Sequence, residues 1–144
     1  MDVLLEKFSL QNRSFTKLVG LKSSEFETLQ SAFSKYWEGY FETYTLKKES
    51  RQRRSTQRRN STFTDSSEAL FFVLLYLNNH ATQEELSKLF GIDQPRVSKY
   101  LQLAKQLLAE TFQKEKGVLP KQKKERLNAI IEGKKIDYFN MINQ

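Results

Sequence analysis

Residues 82–105 read TQEELSKLFGIDQPRVSKYLQLAK, and this stretch decides the fold. Thr82, followed by Glu85 three positions later, is the pattern of a capping box, which predicts that a helix begins there. The sequence QEELSKLF then continues to Gly91. Glycine favours the left-handed conformation with which many helices end. The first part of the stretch therefore predicts a short helix that stops at Gly91.

A second helix is predicted directly after this turn. Asp93 is a favoured N-cap residue, and Pro95 suits the first turn of a helix, where its missing N–H has no partner to lose. The sequence RVSKYLQLAKQLLAETF follows without another break. We expect this helix to extend to about Phe112, so that two helices are joined by a turn of only a few residues.

The apolar pattern of the two helices is that of a helix-turn-helix. Small Ser87 lies four residues before Gly91, where the second helix would cross the first. Apolar residues recur at helical spacing on the inner faces of both helices. These inner residues are Leu86, Leu89, Val97 and either Leu101 or Tyr100.

Polar residues then lie on the outer face and at the N-terminal end of the second helix. Arg and Lys can bond guanine, Gln can bond adenine, and Ser can bond either base in the DNA major groove. The alternative is that these residues have no binding role and only form the solvent-exposed side of a helical hairpin. The candidate recognition residues are Gln94, Arg96, Ser98, Lys99 and Gln102.

An almost continuously apolar segment precedes the two helices. Residues 68–79 read EALFFVLLYLNN, which predicts a central buried helix capped by Asp65 or Ser66. Together with the two helices after it, this segment predicts a trihelical helix-turn-helix domain over residues 61–113.

Residues 1–46 predict an N-terminal helical region. Phe15, Leu18 and Val19 can form one or two helical turns that end at Gly20. A long amphipathic helix follows, with Ser23 or Ser24 as its N-cap and aromatic residues on one stripe from Phe26 to Tyr44. We expect this stripe to pack in the core or against a partner helix. A homodimer through the stripe is one such arrangement. The stripe contains Phe26, Leu29, Phe33, Tyr36 or Trp37, Tyr40, Phe41 and Tyr44.

The net charge of +7 is concentrated in two segments. Residues 47–60 form a connector without apolar periodicity, and we expect its Arg-rich strip to contact DNA phosphates or a narrow minor groove. A solvated linker is the alternative. Residues 114–144 are also basic and predict a C-terminal arm. The basic residues of the connector are Lys47, Lys48, Arg51, Arg53, Arg54, Arg58 and Arg59.

Several classes of protein do not fit this sequence. The chain has no cysteine, which excludes disulfides and thiolate chemistry. His80 is the sole histidine and has no neighbouring ligand or carboxylate, and there is no glycine-rich phosphate loop. We therefore expect no metal, no cofactor and no catalytic residue. No apolar run reaches the length of a membrane span. We expect a cytoplasmic, nucleoid-associated protein.

The stretch from about Arg51 to Phe112 resembles the N-terminal helix-turn-helix region of DDE-superfamily transposases of the IS5-like insertion-sequence group. Upstream, SFTKLVGLKSSEFETLQ (residues 14–30) is similar to the Leu-Thr-Gly-Leu piece and following helix of that family, with Val19 where Thr is usual. The resemblance covers about residues 14–120. It implies that this all-α region binds double-stranded DNA at the terminal inverted repeats of a transposon.

The catalytic machinery of that family is not expected in this chain. DDE transposases need three carboxylates that hold two metal ions on a sheet. Asp137 comes at about the place of the first of them, but Tyr138 and Phe139 replace the residues that usually follow. We expect the non-catalytic, DNA-binding part of a transposase. The alternatives are a first product of a frameshifted gene, a domesticated or stand-alone regulator, and a helical dimerisation or protein-interaction module.

Overall fold

The computed structural model describes residues 2–10, 12–44, 63 and 65–133 of the chain. Every regular element within these residues is an α-helix, which confirms the predicted all-α class. The helices of the described residues are α1 (Asp2–Lys7), α2 (Phe15–Val19), α3 (Ser23–Thr43), α4 (Ser66–Leu77), α5 (Gln83–Phe90), α6 (Gln94–Lys114) and α7 (Lys121–Ile131).

Helix α4 lies at the centre of the packed helices. Residues 69–75 are at most 1% exposed, and α4 contacts α2, α3, α5, α6 and α7. A helix that is apolar on nearly all sides becomes stable only when it is surrounded in this way. Its N-cap is Asp65, whose carboxylate accepts hydrogen bonds from the backbone N–H groups of Ser67 (3.0 Å) and Glu68 (3.2 Å). The prediction of a central buried helix is confirmed.

The aromatic stripe of α3 faces the interior of the chain. The ring of Trp37 lies 5.6 Å from that of Phe33 and 6.5 Å from that of Tyr100 on α6. Towards the end of α3, Tyr40 and Phe41 are half-buried. The prediction of core packing is confirmed for the first part of the stripe, whose buried residues are Phe26, Leu29, Phe33 and Trp37.

Helix α3 begins one residue before the predicted start. Its N-cap is Lys22, and Ser23 is already helical, so the prediction of Ser23 or Ser24 as the cap is wrong. The carboxylate of Glu25 accepts a hydrogen bond from the backbone N–H of Lys22 at 2.9 Å. Because the side chain of Glu25, in the first turn of the helix, bonds the backbone N–H at the N-cap, a serine hydroxyl is not needed there.

The N-terminal residues pack onto α4. Helix α1 was not predicted, but Leu4, Leu5 and Phe8 are buried, and the Lys7 ammonium pairs with the carboxylate of Glu68 on α4. Helix α2 ends at Gly20 with φ +71°, as predicted. The region before α3 is therefore part of the packed body.

Residues 118–131 differ from the basic arm that the sequence predicts. Val118, Leu119 and Leu127 are buried, and α7 contacts α4 and α6. Arg126 donates a hydrogen bond to the Asn78 side chain at 2.6 Å, where α4 ends. The helical spacing of the apolar residues in this segment is too weak to predict a helix from sequence alone. Their burial against the other helices is nevertheless enough to stabilise α7. Residues 134–144 lie outside the described part of the chain.

Candidate nucleic-acid interface

Helix α5 is fixed at its start by a reciprocal pair of hydrogen bonds. The Thr82 hydroxyl accepts from the backbone N–H of Glu85 at 3.1 Å, and the Glu85 carboxylate accepts from the backbone N–H of Thr82 at 3.0 Å. The predicted capping box is therefore confirmed. The bond from the Thr82 backbone N–H, with a smaller contribution from the Thr82 side chain, lowers the pKa of the Glu85 carboxyl because it favours the ionised form.

Both the backbone carbonyl and the side-chain hydroxyl of Ser87 form hydrogen bonds to the turn after α5. The backbone N–H groups of Gly91 and Ile92 both donate to the Ser87 carbonyl, the second at 3.1 Å. The Ser87 hydroxyl in turn donates to the carbonyl of Ile92. Gly91 has φ +68°, a conformation that other residues adopt only with strain. This bonding sets where the chain leaves α5.

Helix α6 begins directly after the turn, as predicted. The Asp93 carboxylate accepts from the backbone N–H of Arg96 at 2.9 Å and caps the helix. Pro95 lies in the first turn, where it breaks no helical hydrogen bond. The chain therefore turns from α5 into α6 over residues 91–93.

The inner faces of α5 and α6 are buried against each other and α4. Leu86 on α5 and Val97 on α6 are 0% exposed. Leu101 and Tyr100 are both buried, although the sequence pattern required only one of them. Leu89, the other predicted inner residue, is half-buried. This burial fixes which side of α6 faces outward.

The candidate recognition residues lie on the outward side of the first part of α6. Ser98 is partly exposed, and the other four are exposed. None of the five side chains forms a hydrogen bond or an ion pair with another residue of the described chain. Their polar groups therefore face solvent and can meet a ligand. They are Gln94, Arg96, Ser98, Lys99 and Gln102.

The charges around this face are mixed. On α5, Lys88 and Glu84 are 3.7 Å apart in an exposed pair. Arg96 and Lys99 supply the positive charge on α6, while Asp93 is engaged at the cap. A pair as exposed as Lys88 and Glu84 contributes little energy. The face is thus mildly basic.

The predicted phosphate-contacting residues of the connector lie outside the described part of the chain. These are Lys47, Lys48, Arg51, Arg53, Arg54, Arg58 and Arg59.

Phe63, which sequence reasoning did not single out, marks where the described chain resumes after the connector. Its ring is 0% exposed and lies 5.0 Å from Tyr100 on α6 and 5.7 Å from Phe90 on α5. The available signal was a lone aromatic residue in the polar run NSTFTDSS. The Phe63 ring also lies 5.8 Å from that of Trp37 on α3 and 5.0 Å from that of Phe72 on α4, so Phe63 packs among four helices.

The described residues contain no group of three or more His, Asp or Glu side chains that could hold a metal ion. His80 is exposed, and Asp137 lies outside the described residues. Among the described helices, none is long and apolar enough to cross a membrane. Comparisons with protein-family models, with curated proteins and with solved structures each returned no match.

Proposed function

We propose that this protein binds double-stranded DNA sequence-specifically, with α5 and α6 acting as a helix-turn-helix. The observation that carries the proposal is the two-sided character of α6. Val97 and Leu101 are buried on one side, while Arg96, Lys99 and Gln102 are exposed on the other. A helix docked in the major groove needs an anchored inner side and a polar outer side.

The spacing of the exposed residues suits the dimensions of the groove. Gln94 and Gln102 are eight residues apart, which corresponds to about 12 Å along a helix. Base pairs follow each other at about 3.4 Å, so the helix can cover about three to four of them. Arg96 and Lys99 can bond guanine, and the glutamines can bond adenine.

The Arg-rich connector would supply most of the affinity. Residues 47–59 carry seven basic side chains and one acidic side chain, whereas the outer face of α6 is only mildly basic. Phe63, four residues after Arg59, packs beside Tyr100 of α6. Four residues span at most about 14 Å, so Arg59 stays within about 14 Å of a residue that contacts α6. Contacts to phosphates, or entry into the adjacent minor groove, would neutralise the backbone without reading sequence.

The biological setting of the proposal follows from the resemblance to transposases. A non-catalytic DNA-binding part would recognise the terminal inverted repeats of an element. A domesticated or stand-alone regulator would use the same face on another site. The two settings share the binding chemistry and differ only in the target sequence.

A protein-interaction role through α3 is the second hypothesis. The buried residues Phe26, Leu29, Phe33 and Trp37 already pack within the chain. Tyr44, at 41%, is the exposed large apolar residue of the described chain. A homodimer through the full stripe would therefore have to open the core, which argues against this second hypothesis.

The proposal is tested by selecting bound sites from random DNA duplexes with the full chain. We expect enrichment of a site that contains a defined core of about three to four base pairs. Selected sequences without any common core would contradict specific binding.

A salt titration on the selected duplex tests the role of the connector. Replacing Arg53, Arg54, Arg58 and Arg59 together by Ala should make the dependence of affinity on salt less steep, by up to about 0.9 per lost phosphate contact in the log–log slope. The control variant removes four positive charges elsewhere and should change the slope less. An equal change in both variants would contradict a special role of the connector. The control replaces Lys17, Lys116, Lys121 and Lys124 by Ala.

A further inference from the structure

The outward side of α6 continues beyond the candidate recognition residues. Gln106 lies seven residues after Lys99 and four after Gln102, so the three side chains follow one line along the helix. All three are exposed, and the Gln106 amide forms no hydrogen bond with another residue of the described chain. We name these three residues the outer stripe. It extends the candidate interface by about one helical turn.

The inner side of α6 is anchored along the same length. Ala104, Leu107 and Leu108 are at most 4% exposed. Directly after α6 ends, the Glu115 carboxylate accepts a hydrogen bond from the Tyr36 hydroxyl of α3 at 2.5 Å. Because α6 is packed before and after Gln106 in the chain, its backbone is held in a fixed place there. A side chain that discriminates between bases needs such a rigid support.

The exposed residues of α6 differ in charge from those of three other helices. Those of α6 are all neutral or basic, whereas α3 exposes Glu27, α5 exposes Glu84 and α7 exposes Glu125. The carboxylate that α6 does carry, Glu110, is half-buried and accepts a hydrogen bond from Lys114 at 3.3 Å. A neutral or basic surface can approach the phosphates beside a DNA groove without repulsion. The charge pattern therefore suits DNA along the whole outer stripe.

From this arrangement we infer that Gln106 determines specificity at one base pair, which it adds to those contacted from the first turns of α6. The inference rests on the proposed DNA-binding function and deepens it. A recognition helix docks either by its N-terminal end or by its middle part, with the contacting residues spread over two turns. The outer stripe has the second spacing, since its members lie at positions i, i+3 and i+7. The amide of glutamine bonds N6 and N7 of adenine, so Gln106 selects an A·T pair.

The rise of the helix predicts where this base pair lies. Gln102 and Gln106 are separated by about 6 Å along the helix axis, and neighbouring base pairs by about 3.4 Å. The two glutamines therefore contact base pairs that are about two steps apart. A straight helix stays within a groove that winds around the duplex over only part of its length. Gln113, about 10 Å beyond Gln106, lies outside this contact.

Selection of bound sites from random duplexes tests this role of Gln106. The full natural chain is compared with Gln106→Ala and Gln106→Arg, and Gln102→Ala identifies the neighbouring position. Gln106→Ala should lose the adenine preference at one position only, about two base pairs from that of Gln102, and should bind the natural site at least about fivefold more weakly. Gln106→Arg should change the preferred base at that position from adenine to guanine, because arginine bonds O6 and N7 of guanine.

Gln113→Arg adds the same charge at the far end of α6 and is the matched control. It should leave the preferred bases unchanged. Chemical denaturation should show that both Gln106 variants remain folded, since Gln106 is exposed. If both Gln106 variants select the same bases as the natural chain, the role of Gln106 is overturned while specific DNA binding stands. If the natural chain selects no common site, the DNA-binding proposal fails, and the role of Gln106 fails with it.

Discussion

The hydroxyl of Ser87 donates a hydrogen bond to the backbone carbonyl of Ile92, across the turn that joins α5 to α6. The backbone N–H of Ile92 returns a bond to the Ser87 carbonyl at 3.1 Å. A small polar side chain at this position thus ties the last turn of α5 to the turn that precedes α6. Sequence spacing predicted a small residue here for steric reasons, and the structure adds a hydrogen bond.

Removing the Ser87 hydroxyl should loosen this turn. Ser87→Ala leaves the Ile92 carbonyl without its side-chain donor, and we expect a loss of about 1 kcal/mol in the free energy of unfolding. Chemical denaturation measures this loss. Ser31→Ala, at an exposed position within α3, is the matched control and should be neutral or slightly stabilising, since Ala favours helix. Equal effects of the two substitutions would show that the hydrogen bond contributes nothing.

Two glycines with the same backbone conformation should respond differently to Ala. Gly91 has φ +68° and Gly20 has φ +71°, so each substitution carries the left-handed strain of about 1–2 kcal/mol. A Cβ at Gly91 meets nothing within 4 Å, whereas one at Gly20 lies 2.8 Å from the Asn78 side-chain oxygen. That oxygen accepts from Arg126. Gly20→Ala should cost about 1–3 kcal/mol more than Gly91→Ala, because the Asn78 bonds must rearrange.

Denaturation of both glycine variants measures the difference. Gly91→Asn serves as a control, since Asn tolerates the left-handed conformation better than Ala, and it should be the mildest of the three changes. Equal losses for Gly20→Ala and Gly91→Ala would mean that the contact between α2, Asn78 and Arg126 adds no stability.

The elements that the sequence predicts best are those with local signals. Thr82 with Glu85, Gly91 and Asp93 mark helix ends through bonds between neighbours in the chain, and each lies where it was expected. The start of α3 was misplaced because Glu25 bonds the backbone of Lys22 and replaces a serine cap. The helix ends that were predicted correctly and the one that was not all depend on bonds between neighbours in the chain. Where two neighbouring residues can each act as the N-cap, residue type alone does not say which one does.

Tertiary packing explains what the sequence did not predict. Leu127 is fully buried in α7, although its surroundings are highly charged and the helical spacing there is weak. Its burial depends on packing against α6 and against α4, which is distant in the chain. Phe63 is likewise buried by Phe90 and Tyr100. The exposed side of α6, in contrast, could be predicted from the sequence, because the apolar spacing indicates which of its residues are buried.

Acid should weaken the contact between α3 and α7. The Lys123 ammonium donates to the Glu25 carboxylate at 2.5 Å. This bond is the main reason that the pKa of Glu25 is lowered from its ordinary value of 4.5, and the backbone N–H of Lys22 adds to it. A lowered pKa in the folded state gives stability that is complete above the unfolded value and is lost as pH falls through the folded value. Stability should therefore decline as pH falls below about 5.

Glu25→Gln removes this part of the pH dependence. The variant should be less stable than the natural protein at pH 7 and should approach it as pH falls through the lowered folded-state pKa of Glu25, because the carboxylate then becomes protonated in both the folded and the unfolded state. Denaturation across this pH range measures the effect. Glu27→Gln, an exposed change in the same helix, should keep the slope of the natural protein. If Glu25→Gln also keeps that slope, the carboxylate does not link α3 to α7.

The central claim is that the outer face of α6 reads DNA sequence. The most direct measurement compares Arg96→Ala with the natural protein on the selected duplex and on random duplex at one salt concentration. We expect Arg96→Ala to cost about 1–3 kcal/mol on the selected site, a loss of roughly 5- to 150-fold, with little change on random DNA. Gln113→Ala, at the exposed far end of the same helix, should change neither affinity. An equal loss on selected and random DNA for Arg96→Ala would contradict the claim.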